Sequence, residues 1–232
     1  MATQVIAHRG ASKAEKENTV SAFKRAVSIG SDAAELDVRR TADGILVVHH
    51  NATLEDDRVI SHMQFADLPR DICTLDAALD ACQPMWVNVE IKNDPLEPDF
   101  DESESIADRT VECLSRRSEG DSRWLISSFR RETIDRCRHL RPTIATAWLT
   151  VGVLPQDALG IVVGLANDGH RALHPWVNLL SRELIDLCHQ HGLEVNTWTC
   201  DDPVRMAELL EWGIDGLCTN QPDIALEVID QR

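Results

Sequence analysis

The feature that most constrains this chain is a regular alternation of short apolar runs with amphipathic stretches of helical period, repeated from end to end. Parallel strands need a long connection that returns over the sheet, so this pattern predicts strands joined by helical crossovers. Eight runs qualify as strands: Gln4 to Ala7, Ala33 to Val38, Trp86 to Ile91, Arg123 to Ser127, Ile144 to Leu149, Arg171 to His174, Leu193 to Trp198, and Gly216 to Thr219. Helical candidates lie between them at Thr19 to Ile29, Leu75 to Cys82, Ser103 to Arg117, Glu132 to Leu140, Arg182 to His191 and Pro203 to Trp212. This order predicts an α/β fold, a (β/α)8 TIM barrel, and a length of 232 residues suits one such domain over 1–232 better than two. The sixth strand is the weakest, with Ala172-Leu173 between Gly169 and Pro175, so an open doubly wound sheet stays an alternative on pattern alone.

Local signals fit the same plan. Asp202-Pro203 reads as a helix cap followed by proline at the first helical position. Gly192 and Gly213 follow helical runs, where glycine takes a left-handed cap most easily. The longest irregular stretch, Arg39 to Thr74, contains Asp43-Gly44, a turn signal that predicts a short hairpin after the second strand and before His49. Long βα connections of this kind often carry function.

Composition excludes several partners. No apolar stretch reaches the ~18 residues of a membrane span, so stable membrane insertion is not expected. Met1 to Gly10 lack the basic and apolar segments of a secretory signal. The net charge of −16 repels polyanions, which makes nucleic acid a poor partner. Seven cysteines without a Cys-x-x-Cys pair read as reduced packing residues, and a cytoplasmic location is expected. Trp124, Trp148 and Trp176 leave room for an interface in a homo-oligomer.

Working residues in such a barrel lie at the carboxyl ends of the strands. In Ala34-Glu35-Leu36-Asp37-Val38 the alternation of faces puts Glu35 and Asp37 together, with Cα atoms roughly 6.5 to 7 Å apart. Two buried like charges need a cation or protons, and a metal site meets that need. On the third strand Asn88, Glu90 and Lys92 share a face, so Glu90 can complete a three-carboxylate site and Lys92 can meet an anion held there. A structural ion pair between Glu90 and Lys92 is the plainer alternative. His8 ends the first strand and His50 follows the apolar run Ile45-Leu46-Val47-Val48. Only one of His49 and His50 should face the site, because adjacent strand residues point opposite ways. His49, His62, His139, His170, His189 and His191 read as structural.

The ordered set His8-Arg9-Gly10, Glu17-Asn18-Thr19, Glu35-Leu36-Asp37, Asp43-Gly44 with His50 beyond, and Val89-Glu90-Ile91-Lys92 resembles the glycerophosphodiester phosphodiesterases. Val195-Asn196-Thr197-Trp198-Thr199 and the segment from Gly213 to Pro222 extend the likeness nearly to the end of the chain. This resemblance implies a phospholipase C-like phosphodiesterase barrel acting in lipid and glycerol metabolism. It further implies that Glu35, Asp37 and Glu90 bind a divalent metal and that His8 and His50 act as acid and base. Arg9 and Lys92 would hold phosphate, Trp198 would line the pocket, and Glu17 would support the site, although Glu17 could equally be the charged first turn of the next helix. The all-oxygen metal ligands point to Mg2+ or Ca2+. Three residues depart from the family pattern: Lys16 replaces a usual proline, and Asn51 and Asn220 replace usual aspartates. Asn51 removes a carboxylate that could raise the neighbouring histidine's pKa.

The expected reaction is metal-dependent hydrolysis of a small glycerophosphodiester, such as glycerophosphocholine or glycerophosphoethanolamine, to glycerol 3-phosphate and an alcohol. Two rivals stay open. One is hydrolysis of lysophospholipids in the manner of a lysophospholipase D, with Phe129, Trp148, Trp176 and Trp198 as an apolar lip. The other is a non-catalytic phosphodiester-binding barrel.

Overall fold

A computed structural model describes residues 2–231, so Met1 and Arg232, the ends of the expected domain, lie outside the described residues. One sheet contains β1 (Gln4–Ala7), β2 (Ala33–Arg40), β3 (Leu46–Val48), β4 (Trp86–Ile91), β5 (Trp124–Ser128), β6 (Ala145–Thr150), β7 (Ala172–Pro175), β8 (Glu194–Thr197) and β9 (Gly216–Thr219). Every strand but β3 pairs in parallel with its neighbours, and β1 pairs with both β2 and β9, so the parallel strands close into a (β/α)8 barrel. Closure sets aside the open-sheet alternative. The expected hairpin is present, with β3 antiparallel to β2 and Val38 opposite Val48.

The helices are α1 (Val20–Ile29), α2 (Leu75–Ala81), α3 (Ser105–Ser115), α4 (Arg131–Leu140), α5 (Ala158–Asn167), α6 (Arg182–Gln190), α7 (Pro203–Glu211) and α8 (Pro222–Asp230). Two of them, α5 and α8, were not among the sequence-based expectations. The run ALGIVVGLAN of α5 lacks a polar face, so it offers no 3.6-residue period to read. Helix α3 starts two residues later than expected, because the Asp101 carboxylate accepts from the Ser103 and Ser105 hydroxyls and the Ile106 amide. The weakly signalled sixth parallel strand forms as β7 and is buried throughout.

Alternation along the strands separates packing from chemistry. Ala34, Leu36 and Val38 of β2 and Val87, Val89 and Ile91 of β4 join one apolar cluster with Phe23, Leu79 and Leu114 of the covering helices. Val5, Leu173, Val195 and Leu217 join another with Leu165, Ile185, Leu209 and Ala225. Each fully buried Val, Leu or Phe stabilises the fold by about 1.5–3 kcal/mol, which leaves the opposite face of each strand free for polar side chains. Trp124 is 2% exposed and lies beside the Arg117 and Arg123 guanidinium groups, so its ring is not a surface for a second copy. All seven cysteines are free, and six are buried.

Loop geometry then aims the site. Gly10 has φ +81°, and a Cβ there would stand 2.6 Å from the Ala22 carbonyl carbon. Glycine therefore lets the β1–α1 loop tuck against α1, whose cap Thr19 accepts a hydrogen bond from the Ala22 amide. No helix among the described residues is long and apolar enough to cross a membrane.

Candidate active site

Parallel register builds the centre of the site. Glu35 pairs with Asn88 and Asp37 with Glu90 across β2 and β4, so the inward carboxylates converge. Carboxylate oxygens of Glu35, Asp37 and Glu90 lie within 4.8 Å of one another, and all three residues are buried. Two ionised carboxylates at that separation repel by about 3 kcal/mol at an effective dielectric of 20. Lys92 answers part of this charge through ion pairs to Asp37 (2.9 Å) and Glu90. Arg9 answers more, with Nε 3.2 Å from Asp37.

The three carboxyls respond differently to that field. Burial, then Asp37 and Glu90, pushes Glu35 well above the usual carboxylate range. Burial also acts upward on Asp37, but the Lys92 and Arg9 charges outweigh it and hold this carboxyl well below its ordinary value. Burial raises Glu90 despite its Lys92 partner. Glu35 Oε1 is buried without a hydrogen-bond partner, whereas Oε2 accepts from the Arg9 amide at 2.9 Å. A lone buried oxygen beside two more carboxylates fits a hard cation held by oxygen ligands.

The histidines stand beyond strand ends. His8 follows β1, and its Nδ1 lies 2.7 Å from Asn220 Oδ1. His50 lies past β3, and its Nδ1 is 2.8 Å from Asn51 Oδ1. Burial lowers the pKa of His8, and burial with the Lys92 charge brings His50 down to about 4. The fully buried Arg39 fixes the His50 backbone: Nε and Nη2 donate to its carbonyl at 2.9 and 2.5 Å, while Nη1 reaches Asp99 at 2.7 Å.

His8, Arg9, Glu35, His50, Glu90, Lys92 and Trp198 line one cavity of about 190 Å³, with Ile6, Phe129 and Leu149 on its apolar side. Phe129 meets Trp198 edge-on, with ring centroids 5.4 Å apart. Asp37, the remaining expected ligand, lies against this cavity through Glu90 and Lys92. Glu17 pairs with Arg9 Nη1 at 3.0 Å and so braces a site residue from a neighbouring cavity of about 600 Å³, which it borders. It is not in the first turn of a helix, since α1 begins at Val20 and has no acidic residue in that turn. His49 turns away into the larger cavity, which also touches His50.

Sequence reading assigned no role to several neighbours. Asn18, at φ 58°, donates through Nδ2 to Asp37 Oδ2 at 2.7 Å; its place in the Glu17-Asn18-Thr19 triplet was its only signal. Asn88 lines the cavity with Oδ1 buried and unpartnered; its alternation with Glu90 could have flagged it. His174 and Asn196 share a 3.0 Å hydrogen bond in the cavity wall. A Cβ on Gly216 would come within 2.3 Å of Asn196 Oδ1, so glycine makes that packing available.

Burial brings the His174 pKa from the ordinary 6.5 down to about 3. Between those values the unfolded chain binds a proton that the folded protein refuses, so stability is lost as pH falls below 6.5. The slope contributed by this residue alone is about 1.4 kcal/mol per pH unit. A His174→Gln protein is expected to show a flatter loss of melting temperature between pH 6.5 and 4, and an unchanged slope would refute that account.

The closed barrel carries three carboxylates and two histidines at the carboxyl mouth of its strands, a set suited to holding a hard cation beside an acid and a base. The glycerophosphoryl diester phosphodiesterase family model matches residues 8–224, and the chain belongs to that family. A glycerophosphodiester phosphodiesterase of Caldanaerobacter subterraneus subsp. tengcongensis is 30% identical, over 99% of this chain and 98% of the relative. The structure of an Oleispira antarctica phosphodiesterase in complex with the product sn-glycerol-3-phosphate superposes with a TM-score of 0.86 at 24% identity, covering 99% of this chain and 97% of that one. A glycerophosphodiester phosphodiesterase from Parabacteroides distasonis gives 0.85 at 24% identity, with 99% and 98% covered.

Proposed function

We propose that this chain, acting as a single barrel domain, hydrolyses glycerophosphodiesters to glycerol 3-phosphate and an alcohol with the help of Mg2+ or Ca2+. The observation that carries this reading is the buried triad of Glu35, Asp37 and Glu90, with oxygens within 4.8 Å, of which Glu35 and Glu90 line the same cavity as His8 and His50. Glu35, Asp37 and Glu90 would hold a divalent cation, which would supply positive charge for the phosphoryl oxygens and lower the pKa of a neighbouring glycerol hydroxyl. Arg9 and Lys92 add positive charge for the phosphate at the same mouth. The two histidines divide the proton traffic: one receives the hydroxyl proton as that oxygen bonds to phosphorus, the other gives a proton to the alcohol oxygen as its bond to phosphorus breaks, and they exchange roles when water opens the resulting cyclic phosphate. His50, near 4 in the free protein, is neutral at pH 7, and the bound phosphodiester anion favours its protonation. Trp198 and Phe129 offer an apolar wall to the glycerol carbons, and the polar cavity beyond His50 has room for the head-group. Free cysteines suit a reducing, cytoplasmic setting.

The test is release of glycerol 3-phosphate from glycerophosphocholine with magnesium, with calcium and with chelator. Product in the metal arms and none with chelator supports the reading. The half-exposed Phe129 beside Trp198 favours a second reading, in which an acyl chain leans on that lip; faster turnover of a lysolipid than of its deacylated diester would favour it. Metal-dependent ligand binding without product over long incubation would support a binding barrel instead.

A further inference from the structure

Behind His8 lies a hydrogen-bonded chain that ends on a carboxylate outside the cavity. Asp201, beyond β8, accepts three hydrogen bonds from the last residue of β9 and the one after it. Thr219 Oγ1 and the Asn220 amide reach Asp201 Oδ1 at 2.8 Å each, and Asn220 Nδ2 reaches Oδ2 at 2.6 Å. An ionised carboxylate only accepts, so this last contact fixes which end of the Asn220 amide is nitrogen. Oδ1 must then face His8 Nδ1, 2.7 Å away, and an oxygen there demands that Nδ1 carry the proton. Ser12 Oγ, within reach of both Asn220 Oδ1 (2.8 Å) and the His8 carbonyl (2.7 Å), keeps the same loop in place.

We infer that Asp201, acting through Asn220, is a positioning residue that locks His8 as the Nδ1–H tautomer, leaving Nε2 bare toward the cavity and making His8 the first proton acceptor. His50 has no such lock. Its partner Asn51 is exposed, and among the described residues its side-chain nitrogen is not held by a carboxylate. The order of events rests on the proposed phosphodiesterase reading. In that order the attacking hydroxyl gives its proton to His8 Nε2, its oxygen bonds to phosphorus, and the departing ester oxygen takes a proton from His50. The tautomer itself does not depend on that reading.

Changing Asp201 to asparagine leaves one side-chain oxygen, which the donor-only Asn220 backbone amide claims, so the new amide nitrogen takes the place of Oδ2 opposite Asn220 Nδ2. Asn220 then meets a donor with its own donor, and the relief is a flip that turns Nδ2 toward His8 and reverses the imidazole tautomer. D201N is expected to lower kcat by about 10- to 100-fold with KM nearly unchanged, the usual range for groups that orient an active residue through another. The double variant D201N/N220D restores an acceptor facing His8 and is expected to recover most of the lost rate. Nitrogen-15 spectra of histidine-labelled protein, with His8 identified through a His8→Gln variant, are expected to show His8 as Nδ1–H in the parent and in the double variant, and as Nε2–H in D201N. An Nε2–H tautomer in the parent overturns the inference without any mutation of Asp201. So does a D201N protein with parental kcat, or a double variant no faster than the single. If the parent lacks phosphodiesterase activity yet shows the Nδ1–H tautomer, the reaction is misassigned while the lock stands.

Discussion

A Glu35→Gln protein is expected to be more stable than its parent in chelator, to lose the stabilisation that magnesium or calcium gives the parent, and to lose about a thousandfold in turnover. Burial beside Asp37 and Glu90 pushes the Glu35 carboxyl well above its usual range. Keeping that group in the metal-free fold costs free energy whether it stays ionised or takes up a proton, and a neutral glutamine removes the cost. Glutamine keeps the shape and an oxygen that can accept from the Arg9 amide, as Glu35 Oε2 does at 2.9 Å. The same substitution removes a ligand oxygen, which weakens the linkage between cation concentration and melting temperature. Metal-assisted phosphoryl chemistry relies on several kcal/mol of charge stabilisation, and each 1.36 kcal/mol is a factor of about ten in rate. Melting curves with and without chelator, set beside product release, measure all three effects. A variant that melts lower in chelator and still responds to magnesium would remove Glu35 from the metal site.

Single changes of His8 or His50 to Ala are expected to cost about 10²- to 10⁴-fold in turnover while leaving the fold intact, the usual range for a positioned acid or base. The backbone at both places is held independently of the imidazole. The His8 amide donates to the Thr219 carbonyl at 2.9 Å, and the His50 carbonyl is gripped by Arg39. The double variant should be little slower than either single one, because residues that act as a unit lose their effect together. Parental rates in both single variants would separate the histidines from catalysis altogether.

Much of the site could be read before the fold was known, because strand alternation turns sequence spacing into a shared face. Glu35 with Asp37 and Asn88 with Glu90 needed only a period of two to be placed on one side of their strands. Lys92 was visible by the same rule, and it binds both Asp37 and Glu90, so the ion pair first weighed as the plainer alternative exists alongside the carboxylate cluster. Glu17 was read from its motif alone, and motif membership carries no direction; its carboxylate braces Arg9 from the neighbouring cavity.

What the sequence determined by itself was therefore local and periodic: the parallel strands, most of the helices between them, the hairpin at Asp43-Gly44, and the carboxylates that alternate with apolar residues. Tertiary structure alone decided closure of the barrel through the β1–β9 pairing, the register that sets Asp37 beside Glu90, and the meeting of His8 with Asn220 and Asp201. Asn220 lies 212 residues from His8 along the chain. No local pattern reports such a contact, because its geometry comes into being only when the last strand docks against the first and the entropy of closing that loop has been met by burial along the whole barrel.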